Sequence, residues 1–240
     1  MTRSYSKQDL AYERIAHNWA DLIDAYDTQR RLETLLGSFL GIERIRGKRC
    51  LDAGCGLGFF AKGLLAMGAT RVVAVDIAPS LVRRLQRECP KTDCRVGDLM
   101  DLTPSIGAET FEVVVSSEVI EHTPNPERVV AELARRVVPG GWLAISCPNA
   151  RWHWLLSAAQ ALRMRKPYEG YENWVRPQAL KTWMSDAGLV VERAEGIHCL
   201  PWQISIRLVS VLDRCLARRW YGRAINLALL AHRRPLCQHE

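Results

Sequence analysis

The chain lacks the patterns that would place it outside the cell or inside a membrane. Its eight cysteines, at 50, 55, 89, 94, 147, 199, 215 and 237, form no C-x-x-C pair. Several lie on apolar, strand-like runs, so reduced thiols are expected, with no disulfide framework and no metal site. No uninterrupted apolar run reaches 18 residues, which excludes a spanning helix of ordinary length. The opening MTRSYSKQDL has no hydrophobic core of a signal peptide, and the expected location is cytoplasmic. Internal repeats, low-complexity runs and Gly/Ser linkers are also missing. The 240 residues are therefore read as one domain, 1–240, with appendages.

What is present is a globular composition, 48% hydrophobic and 25% charged. Positive charge is concentrated. Residues 1–150 hold 19 Lys and Arg against 19 Asp and Glu, whereas residues 151–235 hold 14 against 6. The net charge of +7 would suit a nucleic acid, but the cations lie on mixed apolar elements. No N/D-P-P-Y or Pro-Cys motif follows a strand, since Cys147-Pro148 runs in the reverse order. The expected partner is a small-molecule substrate and no nucleic acid. Nothing in the sequence sets the oligomeric state.

Residues 50–58 read Cys-Leu-Asp-Ala-Gly-Cys-Gly-Leu-Gly, an apolar strand end running into Asp52, Gly54, Gly56 and Gly58. Glycines at such a turn let the backbone approach a ligand closely. A second strand, Arg71 to Val75, ends in Asp76, followed by Ile77. An acid there is placed to hold a ribose diol. A dinucleotide fingerprint would need a third glycine at position 59, which is Phe59, and Asp52 would repel a pyrophosphate. Hydride transfer is disfavoured on both grounds. A carboxylate at 52 suits a cationic ammonium, such as the methionine end of S-adenosylmethionine. In Cys94-Arg-Val-Gly-Asp98-Leu99, the Asp can accept from an adenine amino group while Leu99 packs on the ring. Taken singly, Asp76 as a helix cap and Asp98 as a loop residue are equally good readings. Cys55 is counted with the cofactor-binding loop, although its thiol reads as a small buried filler.

Downstream come the apolar run Phe111–Val115, then Ser116-Ser117-Glu118-Val-Ile-Glu121-His122, and Pro139-Gly140-Gly141 turning into Trp142–Ser146. With these the chain resembles the class I S-adenosylmethionine-dependent methyltransferases. Within them it is most similar to the ubiquinone-biosynthesis O-methyltransferase type, through "LDAGCG", "VVAVD", "EVIEH", "VPGGWLAIS" and "CPN". Weaker matches continue in "VRPQAL", "GIHCLP" and "NLALLAHRR". The resemblance implies an α/β fold, a seven-stranded doubly wound (Rossmann-like) sheet with its last strand antiparallel over Ala224–Ala231, and helical cap insertions. It also implies S-adenosylmethionine as cofactor and Ser117 as a contact beside the fourth strand. Arg31, within Tyr26–Leu32, would pair with the methionine carboxylate; a surface ion pair is the alternative.

The periodicity predicts strands 49–53, 71–75, 94–96, 111–115 and 142–146 alternating with helices 58–67, 79–88 and 126–137, which demands a parallel sheet with right-handed crossovers. Helix 177–187 leads into strand Leu189–Ala194. Strand ends then bring Asp52, Asp76, Asp98, Ser117 and Cys147 to one edge. An amphipathic helical segment covers Lys7–Leu36, with Ile15, Trp19, Leu22 and Ile23 among its apolar positions. Segments 150–177 and 196–223 interrupt the scheme and are expected to carry substrate choice. The second is basic and apolar, and 203–221 is a candidate for peripheral contact with the inner membrane face.

Methyl transfer needs an aligned nucleophile and exclusion of water. For a hydroxyl acceptor, His122 is the candidate base, four residues after Glu118 and so expected on the same helical side. His198 is the reserve base. Two further readings stay open: N-methylation, with Glu169, Glu172 or Asp27 attracting an amine, and an inactive cofactor-binding interaction protein.

Overall fold

The computed structural model describes residues 12–14, 16, 24–154, 157, 170–199 and 207–235. Expectations for Ile15, Trp19, Leu22, Ile23, Glu169 and 203–206 lie outside these residues.

Seven strands form one sheet: β1 (Arg49–Ala53), β2 (Arg71–Asp76), β3 (Asp93–Val96), β4 (Phe111–Ser117), β5 (Val137–Pro148), β6 (Leu189–Gly196) and β7 (Asn226–Arg233). Their order is 3-2-1-4-5-7-6, with β7 antiparallel to both neighbours and the other pairs parallel. The helices are α1 (Ala25–Leu32), α2 (Gly41–Ile45), α3 (Phe59–Ala66), α4 (Pro79–Glu88), α5 (Thr103–Ile106), α6 (Pro126–Arg135), α7 (Pro177–Asp186) and α8 (Arg207–Arg219).

Parallel strands covered on both faces should read as continuous apolar runs. Val72–Val75 and Val113–Val115 do, and all are fully buried. Because successive side chains alternate faces, each strand feeds two cores. Leu51, Val73, Val75, Val114, Leu143 and Leu229 pack with α6 and α7. Cys50, Val72, Ala74, Val113, Val115 and Leu230 pack with α3 and with Leu35, Leu36, Phe39 and Leu40. Those last four lie on Glu33–Leu40, a π-helical continuation of α1.

Three local features depart from the sequence reading. The π-helical stretch and α5 were not anticipated. Pro139-Gly140-Gly141, expected as a turn before a strand, lies inside β5, where the register with β4 shifts between Phe111 and Val113. A Cβ at Gly141 would stand 2.9 Å from the Glu112 carbonyl, so only glycine lets the two strands approach there.

Candidate active site

The carboxyl ends of β1–β4 open into a cavity of about 1210 Å³ counted to its mouth. Its floor is the turn after β1. Gly54, Gly56 and Gly58 all take positive φ (82°, 48° and 77°), a region costly for other residues. A Cβ on Gly54 would fall 2.4 Å from the Val119 side chain, and one on Gly58 would fall 2.2 Å from Leu85. The two glycines serve different ends. Gly54, Cys55 and Gly56 line the cavity, whereas Gly58 lets α3 and α4 pack closely and does not reach it.

Asp76, at the end of β2, accepts from the Gly56 N–H at 2.8 Å and the Ala78 N–H at 2.9 Å. It therefore both caps the following segment and lines the cavity. Two amides leave room on a carboxylate for further donors such as a diol. Burial raises its pKa against the pull of these amides. Ile77, Asp98 and Leu99 also line the cavity, Asp98 with one oxygen on the Met100 N–H.

On the other flank stand Arg31, Thr28, Ser117, Glu118 and His122. Arg31 donates from Nε to Asp27 at 2.9 Å, from Nη1 to the Ser117 hydroxyl at 3.2 Å and from Nη2 to the Thr28 hydroxyl at 3.2 Å. That uses three of its five N–H groups and leaves two for an anion. His122 Nδ1 lies 2.9 Å from the Tyr171 carbonyl. A carbonyl can only accept, so Nδ1 carries a proton; in the neutral form of the ring the lone pair then sits on Nε2, which lies 3.8 Å from Glu121 Oε1. Tyr12 packs its ring 5.9 Å from the imidazole and donates to the His122 carbonyl. Glu121 is buried beside it and Glu118 is half-buried in the cavity wall, and desolvation pushes both carboxyls up to about 8.

A model of the methyltransferase domain family matches residues 24–194. The chain belongs to this methyltransferase family. A ubiquinone biosynthesis O-methyltransferase of Nitrosococcus oceani is 30% identical over 231 residues, covering 92% of each chain. Another, from Xanthomonas axonopodis pv. citri, is 33% identical over 173 residues, 68% of this chain and 72% of its own. The structure of DhpI in complex with SAH matches with a TM-score of 0.65 at 17% identity, over 95% of this chain and 96% of that one.

Several residues of the methyltransferase stand elsewhere than the sequence suggested. Asp52 does not line the cavity. It is buried beneath the turn, where its carboxylate accepts from the Ala61 N–H at 2.9 Å in the first turn of α3, and burial pushes it up to about 7. The contact satisfies one of the amides that a helix start leaves without an intrahelical partner. Cys147 is likewise buried away from the cavity. Glu118 takes a left-handed φ of 55° and His122 sits in the one-turn helix Ile120–His122, so the expected i, i+4 helical relation between them does not exist.

His198, the reserve base, has no exposed surface and does not reach the cavity. Its Nε2 lies 3.0 Å from Asp27 Oδ1. Asp27, already bound to Arg31, is thus committed and is not open to an amine substrate. Tyr12, Phe60 and Val119 line the site without having been anticipated. They are ordinary apolar or aromatic positions with no motif to mark them.

Proposed function

We propose that the protein transfers a methyl group from S-adenosylmethionine to a hydroxyl of a small aromatic or lipid-like acceptor. The observation that carries this is His122, which lines the cavity with its lone pair set on Nε2 by the Tyr171 carbonyl. Bound cofactor supplies a sulfonium methyl that is already electrophilic. Asp98 and Leu99 would take the adenine edge and face, Asp76 and Ile77 the ribose, and the backbone of Gly54–Gly56 would lie along the chain that carries the sulfonium. Ser117 and Arg31 would take the methionine end, Arg31 by a two-pronged contact with its carboxylate. His122 Nε2 would accept the hydroxyl proton as the oxygen attacks. The likeness to ubiquinone biosynthesis O-methyltransferases over nearly the whole chain supports an oxygen acceptor.

The test is methyl transfer to a catechol and to an alkyl-tailed phenol, against matched amines. O-methyl products are expected. His122→Ala should lower kcat by about 10²–10⁴-fold and leave S-adenosylhomocysteine affinity nearly unchanged. A change in kcat below fivefold would make His122 structural.

A tailed acceptor would be met at a membrane surface. No helix among the described residues is long and apolar enough to cross one. On α8, however, Val211 and Leu212 are 60% and 55% exposed, and Trp220 beyond it is 44% exposed. The apolar face of this helix looks outward while Asp213 and Ala217 point in. Such a face beside exposed arginines suits peripheral contact with an anionic bilayer.

A further inference from the structure

We propose that His198 is a positioning residue for the cofactor's carboxylate, acting through Asp27 on Arg31, with Asp213 anchoring the far end of the same row on α8. This rests on the reading that Arg31 holds that carboxylate.

The row crosses three parts of the chain. Asp213 Oδ2 lies 3.6 Å from His198 Nδ1, and its Oδ1 accepts from the Cys199 N–H at 2.7 Å. His198 Nε2 lies 3.0 Å from Asp27 Oδ1, and Asp27 Oδ2 takes the Arg31 Nε proton at 2.9 Å. Arg31 then reaches Ser117 at the cavity wall. His198 is wholly buried and Asp213 is 3% exposed, so little water is present to weaken these contacts. With Nε held by Asp27, the guanidinium plane is fixed and its two remaining N–H groups are aimed rather than free to rotate. A fixed fork loses less entropy on binding a carboxylate.

Charge decides how the row works. Asp27 and Asp213 set a carboxylate on each side of His198, and Asp27 is shared with Arg31. A protonated His198 answers both carboxylates. Burial works against that proton, but the Asp213 carboxylate 3.6 Å from Nδ1 and the hydrogen bond to Asp27 outweigh it and raise the His198 pKa. Burial likewise opposes ionisation of Asp27, yet the hydrogen bond from His198 and the charge of Arg31 keep its carboxyl below the ordinary value. Among the described residues, Asp27 and the Tyr26 ring from α1, Asp213 from α8 and neighbouring Cys199 face His198; the buried Arg30 guanidinium donates to the adjacent Ile197 carbonyl, and the Ile225 N–H donates to the His198 carbonyl. When pH rises through the raised His198 pKa, the row loses one positive charge beside the place where an incoming carboxylate binds. Affinity for a carboxylate-bearing ligand should then fall.

Two ligands separate this role from general support of the pocket. S-adenosylhomocysteine carries the amino-acid end; 5′-methylthioadenosine has the same adenosine and thioether without it. Calorimetry with the full chain should show Arg31→Ala weakening S-adenosylhomocysteine by about tenfold or more and methylthioadenosine by less than about twofold. His198→Leu should weaken S-adenosylhomocysteine by about five- to twentyfold with methylthioadenosine again unmoved, and should add no further loss on top of Arg31→Ala. His198→Gln, whose amide can still donate to Asp27, should restore affinity to within about threefold. The wild type should lose S-adenosylhomocysteine affinity more steeply between pH 6 and 9 than His198→Gln, in which only Glu118 and Glu121 still titrate beside Arg31.

If Arg31→Ala leaves the two ligands equally bound, the carboxylate reading fails and the row with it. If Arg31→Ala discriminates but His198→Leu weakens both ligands alike or neither, the positioning role is wrong. Should His198→Leu not fold, a wild-type affinity that is flat with pH, or equal pH slopes for both ligands, would overturn the proposal on its own.

Discussion

Among single residues, Glu118 is under the greatest constraint. It holds a left-handed φ of 55°, which non-glycine residues adopt uncommonly, and such strain gathers at functional sites. One carboxyl oxygen accepts from Asn226 at 2.7 Å, and the other is buried. Burial, then the neighbouring Glu121, pushes its pKa up to about 8. In the unfolded chain a Glu titrates near about 4.3. A folded-state pKa above the unfolded one means that the folded state holds its proton longer, so stability falls as pH rises from about 4.3 to about 8. Glu118→Gln removes that dependence. Its melting temperature should exceed the wild type's at pH 8 by at least about 2–4 °C, the effect of about 1 kcal/mol in a chain this size, with the difference vanishing towards pH 5. A constant offset across that range, or none, would show that Glu118 is ionised in the fold. At this scale, Asp76, Asp98, Ser117 and His122 were legible because each stands within a few residues of a strand end. The contact of Asp27 with His198 was not, because 171 residues separate them and neither belongs to a turn motif.

At the scale of elements, most boundaries followed from alternating apolar runs and glycine stops. The π-helical continuation of α1 did not. Its apolar residues fit an ordinary helix equally well, and only packing of Phe39 and Leu40 under the sheet selects the wider turn. On α8 the periodicity was visible but its direction was not, since a sequence gives an apolar face without saying what faces it. The face is outward because the polar Asp213 is drawn in to His198 and the Cys199 amide. Replacing Val211 and Leu212 by Ser should therefore sharply reduce cosedimentation with anionic vesicles without weakening S-adenosylhomocysteine binding. The residual electrostatic attraction should be screened over about 10 Å at 0.1 M salt. Unchanged sedimentation after the double substitution would mean that the exposed face does not meet lipid.

At the scale of the whole molecule, parallel topology was legible from the alternation of strand and helix, and strand number from the family resemblance. The place of β7 was not. Nothing in Asn226–Arg233 states that it inserts between β5 and β6, because any apolar strand offers the same hydrogen-bonding edge.

That insertion bears on how the protein is made. Synthesis proceeds from the N-terminus, so β5 and β6 both leave the ribosome before the strand that pairs with each of them. Until then the nascent chain presents two unpaired strand edges, the usual templates for aggregation. The half of the sheet that builds the cofactor cavity, β1–β4, can form while the other half waits for its seam. A chain ending after Ala224 should consequently be recovered in inclusion bodies rather than in solution. Supplying residues 225–235 in trans as a peptide during refolding should return part of it to the soluble fraction. A soluble truncated chain that binds S-adenosylhomocysteine as the full one does would show that the two edges protect themselves.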